Sequence, residues 1–195
     1  MAVGQGLYDP SFEHDSCGIG FVANLKNKKS FQYIQNALDM LVNMEHRGGC
    51  GCEPETGDGA GILLQIPHSF YSTECDKIGF SLPSEGEYGV SMTFFPMDKK
   101  LREIVKSRFE EYIKRLGFEL LGYREVPTDN SMIGKTAKRV EPKVEQVFLK
   151  YTKSKDPKAL ERRLVVLRKY AIRTIRNEMK GIDDSFYIAS CSSKK

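Results

Sequence analysis

The sequence has no apolar run long enough to cross a bilayer. Its first residues, MAVGQGLYDPSFEHDS, have no basic start and no apolar stretch, and they carry Asp9, Glu13, His14 and Asp15. That composition excludes a secretory signal. A membrane protein and an exported protein are both disfavoured, and a cytoplasmic location is the default expectation. Cysteine is sparse and odd in number, at positions 17, 50, 52, 75 and 191. In a chain of 195 residues without an export signal this argues against a disulfide framework and for free thiols. Metal sites are excluded on related grounds. Cys50 and Cys52 form a lone Cys-x-Cys pair, Cys75 and Cys191 are single, and the three histidines are scattered. Structural zinc sites need four ligands in matched pairs, and iron–sulfur clusters need a comparable cysteine set.

There is also no block of one charge. Lys and Arg number 30 against 26 Asp and Glu, a net charge of +4. The basic residues alternate with acidic ones along Asp98–Lys114 and Asp156–Lys180. This pattern describes solvated helix faces rather than a nucleic-acid footprint. No interleaving of aromatic and basic residues offers a base-stacking surface. Internal repeats, low-complexity segments and recognisable linkers are absent too. What remains is ordinary: 40% hydrophobic and 29% charged residues, as in a globular protein, at a length that fits one large domain or part of a larger one.

Periodicity places the elements. Residues 1–16 are polar and aperiodic, with Pro10 in the middle, and read as an extended leader. Gly18–Leu25 turns apolar and predicts a strand. Ser30 is a helix cap for a segment with Ile34, Ala37, Leu38, Leu41 and Val42 on one face. Gly48 to Gly61 is a glycine-rich loop. Ile62–Ile66 predicts a buried strand, and Pro67 starts a short helix through Tyr71 and Cys75. Tyr88–Phe95 predicts a strand. Leu101, Ile104, Val105, Phe109, Tyr112, Ile113 and Leu116 mark a helix stopped near Gly117. Strands follow at Phe118–Val126 and Val144–Tyr151. A long helix carries Leu160, Leu164, Leu167, Ala171, Ile175 and Met179 and stops at Gly181. Ser185–Ala189 predicts a last strand, after which the chain ends almost at once, which suggests truncation within a domain. The alternation indicates layered α and β structure.

Three short segments are candidates for chemistry. In His14-Asp15-Ser16-Cys17-Gly18 a polar leader meets a cysteine at the edge of a strand. If the Ser16–Cys17 bond is cut, Cys17 holds both a thiol and a free α-amino group. That amine, with a pKa near ~8, can accept the thiol proton, so one residue supplies nucleophile and base. An uncut Cys17 has an amide there, which is no base. From the residues alone, a packed structural cysteine stands beside this reading. Glu45-His46-Arg47-Gly48-Gly49 closes the first helix. Its cations either meet the helix's last carbonyls or, in the functional reading, Arg47 orients the loop around Cys17. Thr56-Gly57-Asp58-Gly59-Ala60-Gly61 lacks the lysine of a phosphate loop and precedes its strand rather than following one. It reads as a structural turn, with glycines allowing close backbone approach and Asp58 bonding the loop's own amides.

Taken together, GLYDPSFEHDSCGIGFVANLK and LVNMEHRGGCGCEPETGDGAGILLQIPHSFY resemble the start of the glutamine-hydrolysing domain of the glutamate synthase family. LPSEGEYGVSMTFFPMD, GYREVPTDNSMIGKTAKRVEPKVEQVFLK and SFYIASCSSK resemble successive stretches of that domain, in the same order. The resemblance implies a class II glutamine amidotransferase with the four-layer αββα fold of N-terminal-nucleophile hydrolases, incomplete at its C-terminus. Residues 1–16 resemble the propeptide and 17–195 the N-terminal part of the domain. Ser16 and Cys17 then flank the processing site, Cys17 is the nucleophile, and Arg47 supports its loop. The implied reaction takes glutamine through a γ-glutamyl thioester to glutamate and ammonia. FMN and an iron–sulfur cluster are expected in a synthase domain that no segment here resembles, so this chain is assigned no cofactor. Its implied partners are glutamine and the remaining synthase domains, with no nucleic acid and no membrane. The family's substrate-carboxylate arginine and its oxyanion Asn-Gly pair lie further along and have no match here. The isolated chain is therefore expected to be weakly active or inactive. A non-catalytic derivative acting as a binding module is the alternative.

Overall fold

The computed structural model describes residues 18–53, 55–57, 59–179 and 185–195. These contain five α-helices: α1 (Phe31–Asn43), α2 (His68–Lys77), α3 (Lys99–Arg115), α4 (Lys135–Arg139) and α5 (Pro157–Glu178). They also contain six strands: β1 (Cys50–Glu53), β2 (Thr56–Gly57), β3 (Gly89–Phe95), β4 (Phe118–Glu125), β5 (Lys143–Tyr151) and β6 (Tyr187–Ser192). The chain divides into two compact units, one formed by residues up to 63 together with 132–137, the other by 64–131 and 138–195.

The larger unit is built on one antiparallel sheet in the order β4-β5-β3-β6. Side chains alternate across a strand, so β5 sends Val147 and Leu149 to one face and Phe148 to the other. All three are fully buried, which requires cover on both faces. One cover is α3 and α5. Asp98 caps α3 by accepting from the Leu101 amide at 2.7 Å, and Asp156 caps α5 by accepting from Lys158 and Ala159. Val105, Phe109, Tyr112 and Ile113 of α3 meet Leu160, Leu164, Leu167, Ala171 and Ile175 of α5 in the main core. Phe186 closes it, with ring centroids 5.8 Å from Phe95 and 5.9 Å from Phe109. Ile104 is the exception to the predicted stripe: it is exposed, one position round the helix from buried Val105.

The opposite face carries a smaller cluster of Ile66, Cys75, Tyr88, Val90 and Phe148, with Tyr71 and Phe80 packed on it. Tyr71 meets Phe148 edge-on at 5.3 Å. Polar groups at this face are paired. Arg124 donates to Gln146 and Glu74, and Gln146 donates to the Tyr71 hydroxyl at 2.8 Å. On the helical side Lys106 and Glu145 form a largely buried ion pair of 2.7 Å, with the ammonium 4.5 Å from the Tyr123 ring centroid.

Two predicted strands are not formed. Residues 18–30 and 59–67 contain no strand. A strand exists only as part of a ladder, and neither sheet takes these segments in. Ile19, Phe21 and Leu25 are almost fully exposed, and the 59–67 segment makes one ladder-like bond, from the Ile66 amide to the Lys194 carbonyl at 3.0 Å. Conversely, β1 and β2 pair within the segment expected to be a loop. The predicted stop at Gly181 lies outside the described residues.

Gly89 of β3 lies directly under α5. A Cβ there would come within 2.6 Å of both Leu164 methyls. Gly89→Ala is expected to cost about 1–3 kcal/mol through overpacking. Leu164→Ala alone is expected to cost about 2–5 kcal/mol. Because one methyl takes the space the others vacate, the double variant should cost clearly less than the sum. Urea unfolding at unchanged m-value measures this, and additive costs would refute the contact.

Candidate active site

Ser16, Cys17 and the rest of residues 1–17 lie outside the described residues. The account of the site therefore starts at Gly18, peptide-bonded to Cys17. Gly18 rests against the end of α1: a Cβ on it would stand 2.6 Å from the Met44 sulfur and 3.4 Å from Cδ of Arg47. Gly20 similarly abuts Met40, 2.8 Å from its sulfur. The absence of side chains at 18 and 20 lets the backbone that leaves Cys17 lie along the last turn of α1.

Arg47 is placed by that helix end. Ser30 caps α1, its hydroxyl accepting from the Gln32 amide at 3.2 Å, as the sequence predicts. At the other end the Met44 amide donates to the carbonyls of Met40 and Leu41. A 3₁₀ turn, Glu45–Arg47, follows directly, with the Arg47 amide donating to the Met44 carbonyl at 2.9 Å. Arg47 is thus held on an exposed turn with its aliphatic stem beside Gly18. Two residues that the sequence sets 29 positions apart, Gly18 and Arg47, meet in one unit.

Glu53, which sequence reasoning passed over, occupies the end of β1. Its carboxylate accepts from the Thr56 hydroxyl at 2.9 Å, from the Thr136 amide at 3.1 Å to both oxygens, and from the Ala137 amide at 3.2 Å. Thr56 Oγ1 in turn accepts from the Gly134 amide at 3.2 Å. Gly134 leaves room for this: a Cβ there would fall 2.1 Å from the Glu53 carboxyl carbon. The Thr136 amide, first among these contacts, holds the Glu53 carboxyl below its ordinary value. No local pattern signals this group, because the two amides that bind it lie more than eighty residues away.

The glycine-rich turn is described only in part. Among the described residues, a Cβ at Gly59 or Gly61 would meet nothing within 4 Å. Asp58 lies outside the described residues. Cys50 and Cys52 contribute backbone to β1. Cys75 and Cys191 are free and buried, and burial pushes their thiols up to about 11 and about 12. Neither is a nucleophile at neutral pH. Among the described residues no helix is long and apolar enough to cross a membrane.

A carboxyl group with a depressed folded-state pKa contributes stability above its unfolded pKa and loses it as pH falls through the folded value. The Thr136 and Ala137 amide NMR signals should accordingly titrate with a midpoint below 4.5, the ordinary glutamate value, and should not titrate in Glu53→Gln. A midpoint at or above 4.5 would contradict the hydrogen bonding described. In the same folded protein, a small alkylating reagent at neutral pH should leave Cys75 and Cys191 unmodified, and rapid modification of either would contradict its burial.

Comparison with known proteins bears on what this arrangement is for. The model of the class-II glutamine amidotransferases matches residues 17–195. The large chain of the NADPH glutamate synthase of Bacillus subtilis is 43% identical over 195 residues, all of this chain and 12% of that one. The chloroplastic ferredoxin-dependent glutamate synthase of Oryza sativa subsp. japonica is 37% identical over 182 residues, 93% of this chain and 11% of that one. The NADH glutamate synthase of Schizosaccharomyces pombe is 36% identical over 192 residues, 95% of this chain and 9% of that one. The chain thus spans about a tenth of the length of these relatives. With the family model covering all but its first sixteen residues, the chain belongs to the class-II glutamine amidotransferases.

Proposed function

We propose that these residues form the N-terminal part of the glutaminase domain of a glutamate synthase, with Cys17 as an N-terminal nucleophile. The observation that carries the reading is the family match, which begins at Cys17 itself and leaves residues 1–16 outside. Removal of that leader exposes the α-amino group of Cys17. The neutral amine takes the thiol proton, and the thiolate attacks the side-chain amide carbon of glutamine. Ammonia leaves with a proton returned by the ammonium group, giving a γ-glutamyl thioester. Water activated by the same amine then releases glutamate and the thiol. Arg47, its stem against Gly18, supports the loop that presents Cys17.

The full four-layer αββα arrangement belongs to this reading. One α layer and one β layer are seen in α3, α5 and the four-stranded sheet, and Ile19, Phe21 and Leu63 are exposed apolar residues of the kind a second sheet would bury. The rest of the fold, the ammonia-using synthase chemistry, FMN and the iron–sulfur cluster are assigned to the remainder of a longer protein. A cytoplasmic location is part of the same reading.

Intact-mass measurement tests the central claim. The active protein should begin at Cys17. A mass that retains residues 1–16, losing at most Met1, would leave an amide on Cys17 and overturn it. In the full-length protein Cys17→Ala should abolish glutamine hydrolysis. Arg47→Ala should lower it about 100-fold, the scale expected when a nucleophile is misplaced by about 1 Å.

A further inference from the structure

The chemistry just described leaves the Glu53 carboxylate unused, yet this group is satisfied by three separate donors from two stretches of chain. It joins the β1–β2 hairpin to residues 134–137, and Thr56 adds a second link to the Gly134 amide. Two glycines, Gly48 and Gly49, are all that separate Arg47 from the start of β1 at Cys50. That link is short and closed onto the turn, the Gly48 amide donating to the Glu45 carbonyl at 2.9 Å, so whatever fixes β1 also restrains the Arg47 turn that runs into it.

We propose that Glu53 is a positioning residue for glutamine hydrolysis: it fastens β1–β2 to residues 134–137 and thereby keeps the Arg47 turn against Gly18, next to the Cys17 nucleophile. The inference rests on the assignment of Cys17 and Arg47 above. Its chemistry demands an ionised carboxylate. Both oxygens accept from the Thr136 amide, and one of them also accepts from Ala137 and Thr56. A glutamine side chain offers one acceptor oxygen and would turn an NH₂ donor toward amide donors. Gly134 is part of the device, since any side chain there would displace the carboxylate.

The test measures glutamine hydrolysis by the full-length protein carrying Glu53→Gln, Arg47→Ala, both, or Cys17→Ala. In the variants that keep Cys17, rates are normalised to the Cys17 that reacts stoichiometrically with a γ-electrophilic glutamine analogue, so unfolded protein does not count; the Cys17→Ala rate is normalised to folded protein measured by circular dichroism. Glu53→Gln should lower kcat about tenfold, a fraction of what full misplacement costs, with KM within about twofold, and should cause no further loss in the Arg47→Ala background. A Glu53→Gln enzyme with normal kcat, or a loss that multiplies with that of Arg47→Ala, overturns the inference. If Arg47→Ala is itself normal while Cys17→Ala is dead, the Arg47 role fails and this inference with it, but Cys17 stands. Activity in Cys17→Ala overturns the function assigned above. Should Glu53→Gln not fold, Thr56→Val removes one link of the same clasp. It should reduce both kcat and the hydrogen-exchange protection of residues 134–137. Reduced protection with unchanged kcat overturns the inference.

Discussion

Two-sided burial of β3 and β5 is the constraint on which the larger unit depends. Val147 and Leu149 need α3 and α5 above them, and Phe148 needs α2, Phe80 and Tyr88 below. An antiparallel sheet commonly covers one face and leaves the other to water. Here neither of the central strands has a solvent face to spare. Polar residues that fall inside are therefore paired: Lys106 with Glu145, Gln146 with Arg124 and Tyr71, and Ser91 with Thr93. An unpaired one would cost more than its partnered form returns.

The smaller unit obeys a different logic. No residue of α1 is buried, and Ile19, Phe21, Leu25, Phe31 and Val42 are exposed. Apolar burial does little there. What organises it is close approach at glycines, the capped and backbone-closed ends of α1, and the carboxylate of Glu53 drawn onto main-chain amides. Among the described residues, the segment next to the proposed nucleophile thus has little apolar cover.

Fold and function are separate conclusions here. A four-stranded antiparallel sheet with helices packed on it serves many chemistries. The assignment comes from the cysteine that opens the family match and from the arginine turn beside the residue after it.

Much was legible in the sequence itself, and the reason is local. The caps at Ser30, Asp98 and Asp156 act on neighbouring amides, and the stripe Leu160, Leu164, Leu167, Ala171, Ile175 recurs at the helical period, so α1, α3 and α5 are written in short windows. The strands β3, β4 and β5 are likewise readable from apolar runs bounded by glycine and proline. The chemistry proposed for Cys17 and Arg47 was not legible in the same way: from the residues alone a structural cysteine and a helix-end cation stood beside it, and the family resemblance carried it. Tertiary structure alone decided the rest. It withheld ladders from Gly18–Leu25 and Ile62–Ile66, because pairing is a property of two segments and not of one. It paired β1 with β2 inside a presumed loop. It brought Glu53 to Thr136, whose separation of 83 residues no periodicity spans, because a carboxylate finds unsatisfied amides in space and not along the chain.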